Sequence, residues 1–583
     1  VIKKASSMAT KAHHSAEPYL YEEVTGPGEA ISWSIWAFPG SWSVNDLYGS
    51  SKDDPYGAIK VDADLFPSLK YIGLDEPATL NEASVERFKS LIVAKNHQLV
   101  KEVQGAMAAG RQVVFTGHST GAPIAILMEI WFLEHCIRPN PNIKAPKCIT
   151  FGSPLIGDRV MNHALGRESW SRHFIHFIMR YDIIPRLMLA PRSSVEGRLQ
   201  HALNYINRGS QNEMVGDSLG LYLEVMRNVA SVASFSACKI MGNTNSLSAN
   251  LLSIMNLSPY RPFGTYVLCI GNEKLVVVRN PDVVLQILFY SLQLSDHAPE
   301  HTQASLTDHR SYEREITASI DMQSVTCLEH NHLLAIPLTS RDANNGSTTI
   351  LNDLGLSARG RLCLRAAAEL DRQKLRNQAT LEEKKAEITK CIEKLRRGYK
   401  VHLRNMNLSY YEAFKMAECE EDFKANISRL ELAGMWDEMV EMLKSYELPD
   451  GFECRADWVE LGTQYRRLVE PLDIANYYRH SKNEDTGTYM KRGRPKRYKC
   501  TQRWREHAQR RQPGSLETES CFWAELEELY NEINNQEFAT RLQTLDSKIE
   551  SCITNKDLEE DPRMNSTTYG DLKQKLLNSM EQA

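Results

Sequence analysis

Residues 111–134 read RQVVFTGHSTGAPIAILMEIWFLE and hold the chemistry with the clearest spacing, Gly-x-Ser-x-Gly. In a nucleophile elbow the serine sits on a strained strand-to-helix turn, so the residues two positions away must be very small. Gly117 and Gly121 meet that demand around Ser119. VVFT leads in as a strand, and Pro123 suits the first turn of a helix. Such a turn serves acyl transfer: the hydroxyl attacks a carbonyl, a histidine takes its proton, and a carboxylate orients the histidine. Asp182 follows the apolar run FIHFIMRY and so falls at the C-terminal end of a strand, where open α/β sheets keep their chemistry. Asp158, in FGSPLIGDRV, is the rival acid, with a turn or helix cap as its plainer reading. His297, His301 and His309 share the polar segment SDHAPEHTQASLTDHRSYE, after the acid in the required order; His309, read as opening a helix, is preferred. An oxyanion hole needs two convergent N–H donors, which Thr120 and Ser41 (in AFPGSW) would supply.

These groups need a scaffold. Residues 32–38, 111–116, 146–152, 174–181, 263–270 and 274–279 are rich in β-branched and aromatic side chains, and helical stretches such as 84–109 and 122–136 lie between them. That alternation predicts an α/β hydrolase-like N-terminal domain with helices covering a largely parallel sheet. The polar, turn-rich segment 339–360 marks a boundary, giving domains of 1–350 and 351–583. Beyond it strands vanish. Helical patterns over 364–403, 427–446, 456–470 and 521–536 predict an all-α helical bundle.

Composition narrows the class. A chain of 583 residues exceeds one core, and 42% hydrophobic with 25% charged residues is ordinary for a globular protein. The net charge of -5 marks neither a nucleic-acid nor a membrane binder, and no apolar run nears the ~20 residues that span a bilayer. Twelve cysteines stand singly with no C-x-x-C pair, a pattern that fits a reducing compartment and supports neither a disulfide framework nor a zinc cluster, and no metal site is expected. The opening residues lack an apolar signal core, so the expected location is cytoplasmic and nuclear.

Two further segments carry information. In GNTNSLSANLLSIMNLSPY (242–260), Leu247, Leu251, Ile254 and Met255 share one helical face, with Leu252 and Leu257 beside it. The stripe fits packing on the molecule's own core or docking in a partner groove. Residues 491–511 carry ten Lys or Arg against one acid, Glu506, with Tyr498 and Trp504 interleaved and Tyr489 just upstream. A minor-groove hook in RGRP, a nuclear-localisation signal, a solvated face and a phosphate-receiving cavity all fit that composition.

VVFTGHSTG, ITFGSPLIGD, RYDIIPRL and DHRSYE resemble class 3 lipases in order and spacing. EPLDIANYYRHSKNEDTGTYMKRGRPKRY (470–498), with LSPYRPFGTY (257–266), closely resembles the Enhanced Disease Susceptibility 1 family of plant immune regulators, and the likeness extends over nearly the whole chain. The resemblance implies a lipase-like domain followed by a helical EP domain. It further implies a triad retained without being needed for signalling, and pairing with a Phytoalexin Deficient 4-like or Senescence-Associated Gene 101-like protein. The 242–260 helix would dock in that partner. Tyr477, His480, Lys482 and Arg497, with Phe423 on the same wall, would line a cavity. Its ligand would be a ribosylated adenine nucleotide made by TIR-domain receptors, such as phosphoribosyl-AMP or -ADP or ADP-ribosylated ATP, and the liganded pair would recruit helper NLR receptors. No cofactor is required. Ala122-Pro123 stands where lipases usually continue Gly-Gly-Ala, a change that crowds the acyl pocket. The alternative is a serine acyl hydrolase using Ser119, Asp182 and His309.

Overall fold

The computed structural model describes residues 1–25, 32–51, 53–208, 215–240, 257–271, 273–292, 298–322, 324–336, 346–531, 538–554 and 568–581. The chain divides into two compact units, one of Val1–Lys70 with Pro77–Arg372, the other of Tyr71–Glu76 with Gln373–Ala583. The division falls beyond the 350–351 boundary expected from sequence. Leu351, Leu354, Leu356, Leu364 and Ala367 are buried in the first unit's core, so the polar segment is followed by more of the same domain.

The first unit is built on an eight-stranded sheet whose strands lie in chain order: β1 (Leu20–Thr25), β2 (Ser32–Phe38), β3 (Gln112–His118), β4 (Lys147–Phe151), β5 (Phe174–Met179), β6 (Thr265–Cys269), β7 (Lys274–Val278) and β8 (Ser324–Cys327). Strands β2 to β6 run parallel, while β1 and β7 each pair antiparallel with a neighbour. A parallel sheet must be covered on both faces, and successive side chains point to opposite sides. The cores obey that period. Tyr266 and Leu268 of β6 join the core on one face, whereas Val267 and Cys269 join the other. The second face is closed by α1 (Ile2–His13), which brings Ala5, Met8, Ala9 and Ala12 against Val114 and Ile149.

Strand β3 is buried at every position and leads through Ser119–Gly121 into α2 (Ala122–Phe132). By length and composition Ser119–Ile137 could cross a membrane, contrary to the expectation that no segment could, but 78% of its apolar window is buried inside the fold. It is a core helix.

Among the described residues the second unit is helical apart from the short segment Tyr71–Glu76, and its centre is aromatic. Trp436, on α3 (Glu420–Lys444), stacks on Tyr465 of α4 (Ala456–Arg479) at 5.0 Å between ring centroids. Tyr465 stacks in turn at 5.3 Å on Tyr498 of α5 (Lys496–Ala508). Helix α4 runs through Pro471, where a sequence reading stops it. Buried Leu468, Val469, Leu472 and Ile474 flank the proline, and their packing outweighs the lost hydrogen bond.

Candidate functional site

Ser119 has a φ of 54°, the left-handed region that costs a non-glycine residue energy and that an elbow imposes on its nucleophile. The neighbouring glycines are required by contact. A Cβ on Gly117 would lie 2.5 Å from the backbone of Gly121, and one on Gly121 would lie 2.4 Å from Phe38 O. The elbow expected from spacing is therefore formed, with Pro123 in the first turn of α2.

Asp182 lies just past β5, as expected, and is wholly buried. Its Oδ2 accepts from His309 Nδ1 at 2.8 Å and from the Tyr312 hydroxyl at 2.7 Å, while Oδ1 accepts from Ile184 N at 2.9 Å. His309 closes the helix Ala298–Arg310 rather than opening one. Asp158 is the N-cap of the helix Arg159–Arg167, accepting from Met161 N, so the plainer reading of that acid holds. His301 stacks on Tyr181 at 5.1 Å, and His297 lies outside the described residues. Sequence reasoning passed over Tyr312, although it stands three residues past His309 in the quoted motif.

The remaining links are not made. His309 Nε2 is buried with no hydrogen bond, so it does not receive the Ser119 hydroxyl. Ser41 N donates to Thr120 Oγ1 at 2.6 Å, and Thr120 Oγ1 donates back to Ser41 O at 2.9 Å. The oxyanion donor expected at Ser41 is thus committed to a side chain. Arg87 fixes this arrangement by donating to Thr120 O at 3.0 Å and Pro39 O at 2.9 Å. A cavity beside the elbow, lined by Thr120, Pro123, Leu155 and Met188, measures about 10 Å³. That is room for about one water and not for an acyl chain. His118, next to the nucleophile, stacks on His309 at 4.6 Å, and burial holds its pKa well below the usual histidine value.

The residues expected to meet a nucleotide all fall in the helical unit, in differing states. Phe423 on α3 is 64% exposed, and His480 and Lys482, just past α4, are exposed. Tyr477 is buried and donates its hydroxyl to Gly487 O at 2.6 Å, which makes it an anchor for the following loop rather than an open stacking surface. Arg497 donates to Asp437 at 2.9 Å and to Asp473 at 2.6 Å. Asp473 also accepts from Arg429 and from the Tyr498 hydroxyl. Arg494, the second arginine of RGRP, is buried and bonded to Glu470 and Gln502, which removes the minor-groove hook. Lys491, Arg492, Lys496 and Lys499 remain exposed. The partner stripe Leu247, Leu251, Ile254 and Met255 lies outside the described residues; Leu257 beside it packs against the first unit's core.

Comparison with known proteins joins the two halves. The class 3 lipase model matches residues 75–191, and the model described as the Enhanced disease susceptibility 1 protein EP domain matches residues 394–579. Protein EDS1B of Arabidopsis thaliana is 39% identical over 590 aligned residues, covering 95% of this chain and 91% of that protein. The chain belongs to the EDS1 family. Two more distant Arabidopsis thaliana relatives are similar over much of their length. Lipase-like PAD4 is 26% identical, covering 80% of this chain and 71% of its own, and Senescence-associated carboxylesterase 101 is 22% identical, covering 75% and 62%. As an EDS1-family member the chain is a lipase-like regulator of plant immunity, with an α/β hydrolase-like N-terminal unit and a helical EP domain. The acid–histidine pair on which lipase chemistry depends is kept, whereas the serine–histidine bond and the free Ser41 donor are not.

Proposed function

We propose that this EDS1-family protein acts as a non-catalytic regulator of immunity that works by assembly. It pairs with a related lipase-like protein of the Phytoalexin Deficient 4 or Senescence-Associated Gene 101 kind through Leu247, Leu251, Ile254 and Met255. The pair binds a ribosylated adenine nucleotide at the EP domain and recruits a helper receptor. The observation that supports this most is the closed serine: Ser119 is buried, His309 Nε2 makes no hydrogen bond, and Ser41 N is bonded to Thr120. Exposed Phe423, His480 and Lys482 leave an aromatic ring, an imidazole and an ammonium for a base and phosphates, and Arg497 becomes available when a phosphate displaces Asp437. Co-expression with each related partner, followed by mass spectrometry of material released from the purified pair, tests the reading. A ribosylated adenine nucleotide recovered in stoichiometric amount supports it. A pair that assembles and signals without one overturns the ligand.

The second reading is a serine acyl hydrolase, favoured by the intact pair of Asp182 and His309. It requires Ser119 to turn toward His309 Nε2 and Ser41 N to leave Thr120. A series of p-nitrophenyl esters, run with wild type and Ser119→Ala, separates the two: turnover lost in the variant supports the hydrolase.

A further inference from the structure

The helix α1 contributes nothing to the triad, yet its last residue stands beside it. The apolar side of α1 is anchored in the core through Ala5, Met8, Ala9 and Ala12, and this fixes where His13 must lie. The His13 ring is 2% exposed, 4.6 Å from the ring of His118 and 4.2 Å from that of Trp42. It presses on the loop that carries Ser41, because a Cβ on Gly40 would fall 2.0 Å from His13 Nδ1. His118 continues the file, stacking on His309. Three imidazoles thus run from the N-terminal helix to the triad base.

This file is poorly satisfied. Neither ring nitrogen of His13 makes a hydrogen bond, nor does Nδ1 of His118 or Nε2 of His309. Buried polar atoms without partners are unfavourable, so the apolar anchor of α1 and not the imidazole's own bonding keeps His13 there. Burial, and then the nearness of His309, lower the His13 pKa well below the usual histidine value. The ring is wedged between the loop that carries Ser41 and the strand that carries the nucleophile.

We propose that α1 is an autoinhibitory plug, in which His13 fills the approach to Ser119 and keeps the serine closed. The plug rests on the reading of a silent serine given above. It adds a cause that can be removed: with His13 withdrawn, Ser119 reacts with small electrophiles even though no natural ester is turned over.

A fluorophosphonate probe on the full chain reads this directly. Ser119 Oγ forms the O–P bond, the P–F bond breaks, fluoride leaves, and the serine proton passes to His309 Nε2. Wild type is expected to label slowly and His13→Ala about tenfold faster, since the apparent rate scales with the open fraction. His13→Phe, which keeps the ring volume, should match wild type, and Ser119→Ala should not label. Gly40→Ala pushes on the same ring from the loop side and should also speed labelling, so the idea stays testable if His13→Ala fails to fold. Slow labelling of wild type, folded His13→Ala and Gly40→Ala alike overturns the plug alone. Labelling of wild type at the rate of an ordinary serine esterase overturns the silent serine and the plug with it. Labelling of His13→Phe as fast as His13→Ala shows that the imidazole and not its volume matters, which also overturns the plug.

Discussion

Ser41 and Thr120 satisfy each other: the backbone N–H of Ser41 donates to the Thr120 hydroxyl at 2.6 Å, and that hydroxyl donates to the carbonyl of Ser41 at 2.9 Å. One side chain thereby ties the loop after β2 to the residue after the nucleophile. Thr120→Val removes both bonds and leaves a part-buried donor and acceptor without partners, at a cost of about 1–3 kcal/mol. The expected result is a lower thermal midpoint with no gain in ester turnover, because Ser119 stays buried. Thermal unfolding and an esterase assay on the same preparation check it; an active variant would show the Thr120 bond to be the lock.

In the helical unit, Glu470 and Arg494 form a buried pair, with Arg494 Nε to Glu470 Oε1 at 2.7 Å and Nη2 to Oε2 at 3.2 Å. Removing one partner leaves a buried charge uncompensated, which costs about 3–5 kcal/mol. Glu470→Ala should therefore lower the urea midpoint of the helical unit sharply while leaving the unfolding of the lipase-like unit in place. A shift no larger than that of an exposed Glu420→Ala control would contradict the pair's weight.

Acid should act first on the lipase-like unit. Burial lowers His176 to about 3 and, with Lys147 nearby, His173 to about 4. Both are neutral in the fold and gain a proton on unfolding below their ordinary value of about 6.5. Stability is thus full above that pH and is lost as pH falls toward their folded values. The slope is about 1.4 kcal/mol per pH unit for each histidine. His176→Asn keeps a polar partner for Thr150, which lies 2.7 Å from His176 Nδ1, while removing the titration. Urea midpoints at pH 7 and pH 5 should converge in the variant relative to wild type; parallel decline in both would remove His176 from the acid response.

Asp437 and a ligand phosphate compete for Arg497 in the proposed nucleotide site. Asp437→Asn frees one guanidinium edge and should tighten nucleotide binding several-fold, roughly the 1 kcal/mol of an exposed pair. Arg497→Ala should weaken it, and both effects should shrink as salt rises. Calorimetric titration of the purified heterodimer checks the pair of changes. Equal affinity in all three proteins would exclude Arg497 from the site.

Much of the lipase-like unit was legible because its central strands are continuous apolar runs ending in small residues. The run SWSIWAF is β2 residue for residue, and VVFTGHSTG gives the elbow. The edge strands were not. LYEEVT alternates half-buried and exposed positions with two glutamates, and SVTC is a mostly exposed strand of four residues, so neither carries a hydrophobic signature. His309 was placed on the wrong end of its helix, although Pro299, near the start of APEHTQASLTDHR, marks the first turn. The spent Ser41 donor and the Asp473 hub were beyond reach. Arg429, Asp473 and Arg497 meet only through the packing of three helices, and no local period encodes which charges face each other.

On the proposed reading, immune regulation by this chain does not use Ser119 as a nucleophile. The most direct test is Ser119→Ala in plants that lack their own EDS1-family protein, scored for defence output against wild type at matched protein level. Full restoration by the variant is expected. Lost output in a variant that still folds and still pairs with its lipase-like partner, together with ester turnover present in wild type and absent in the variant, would contradict it.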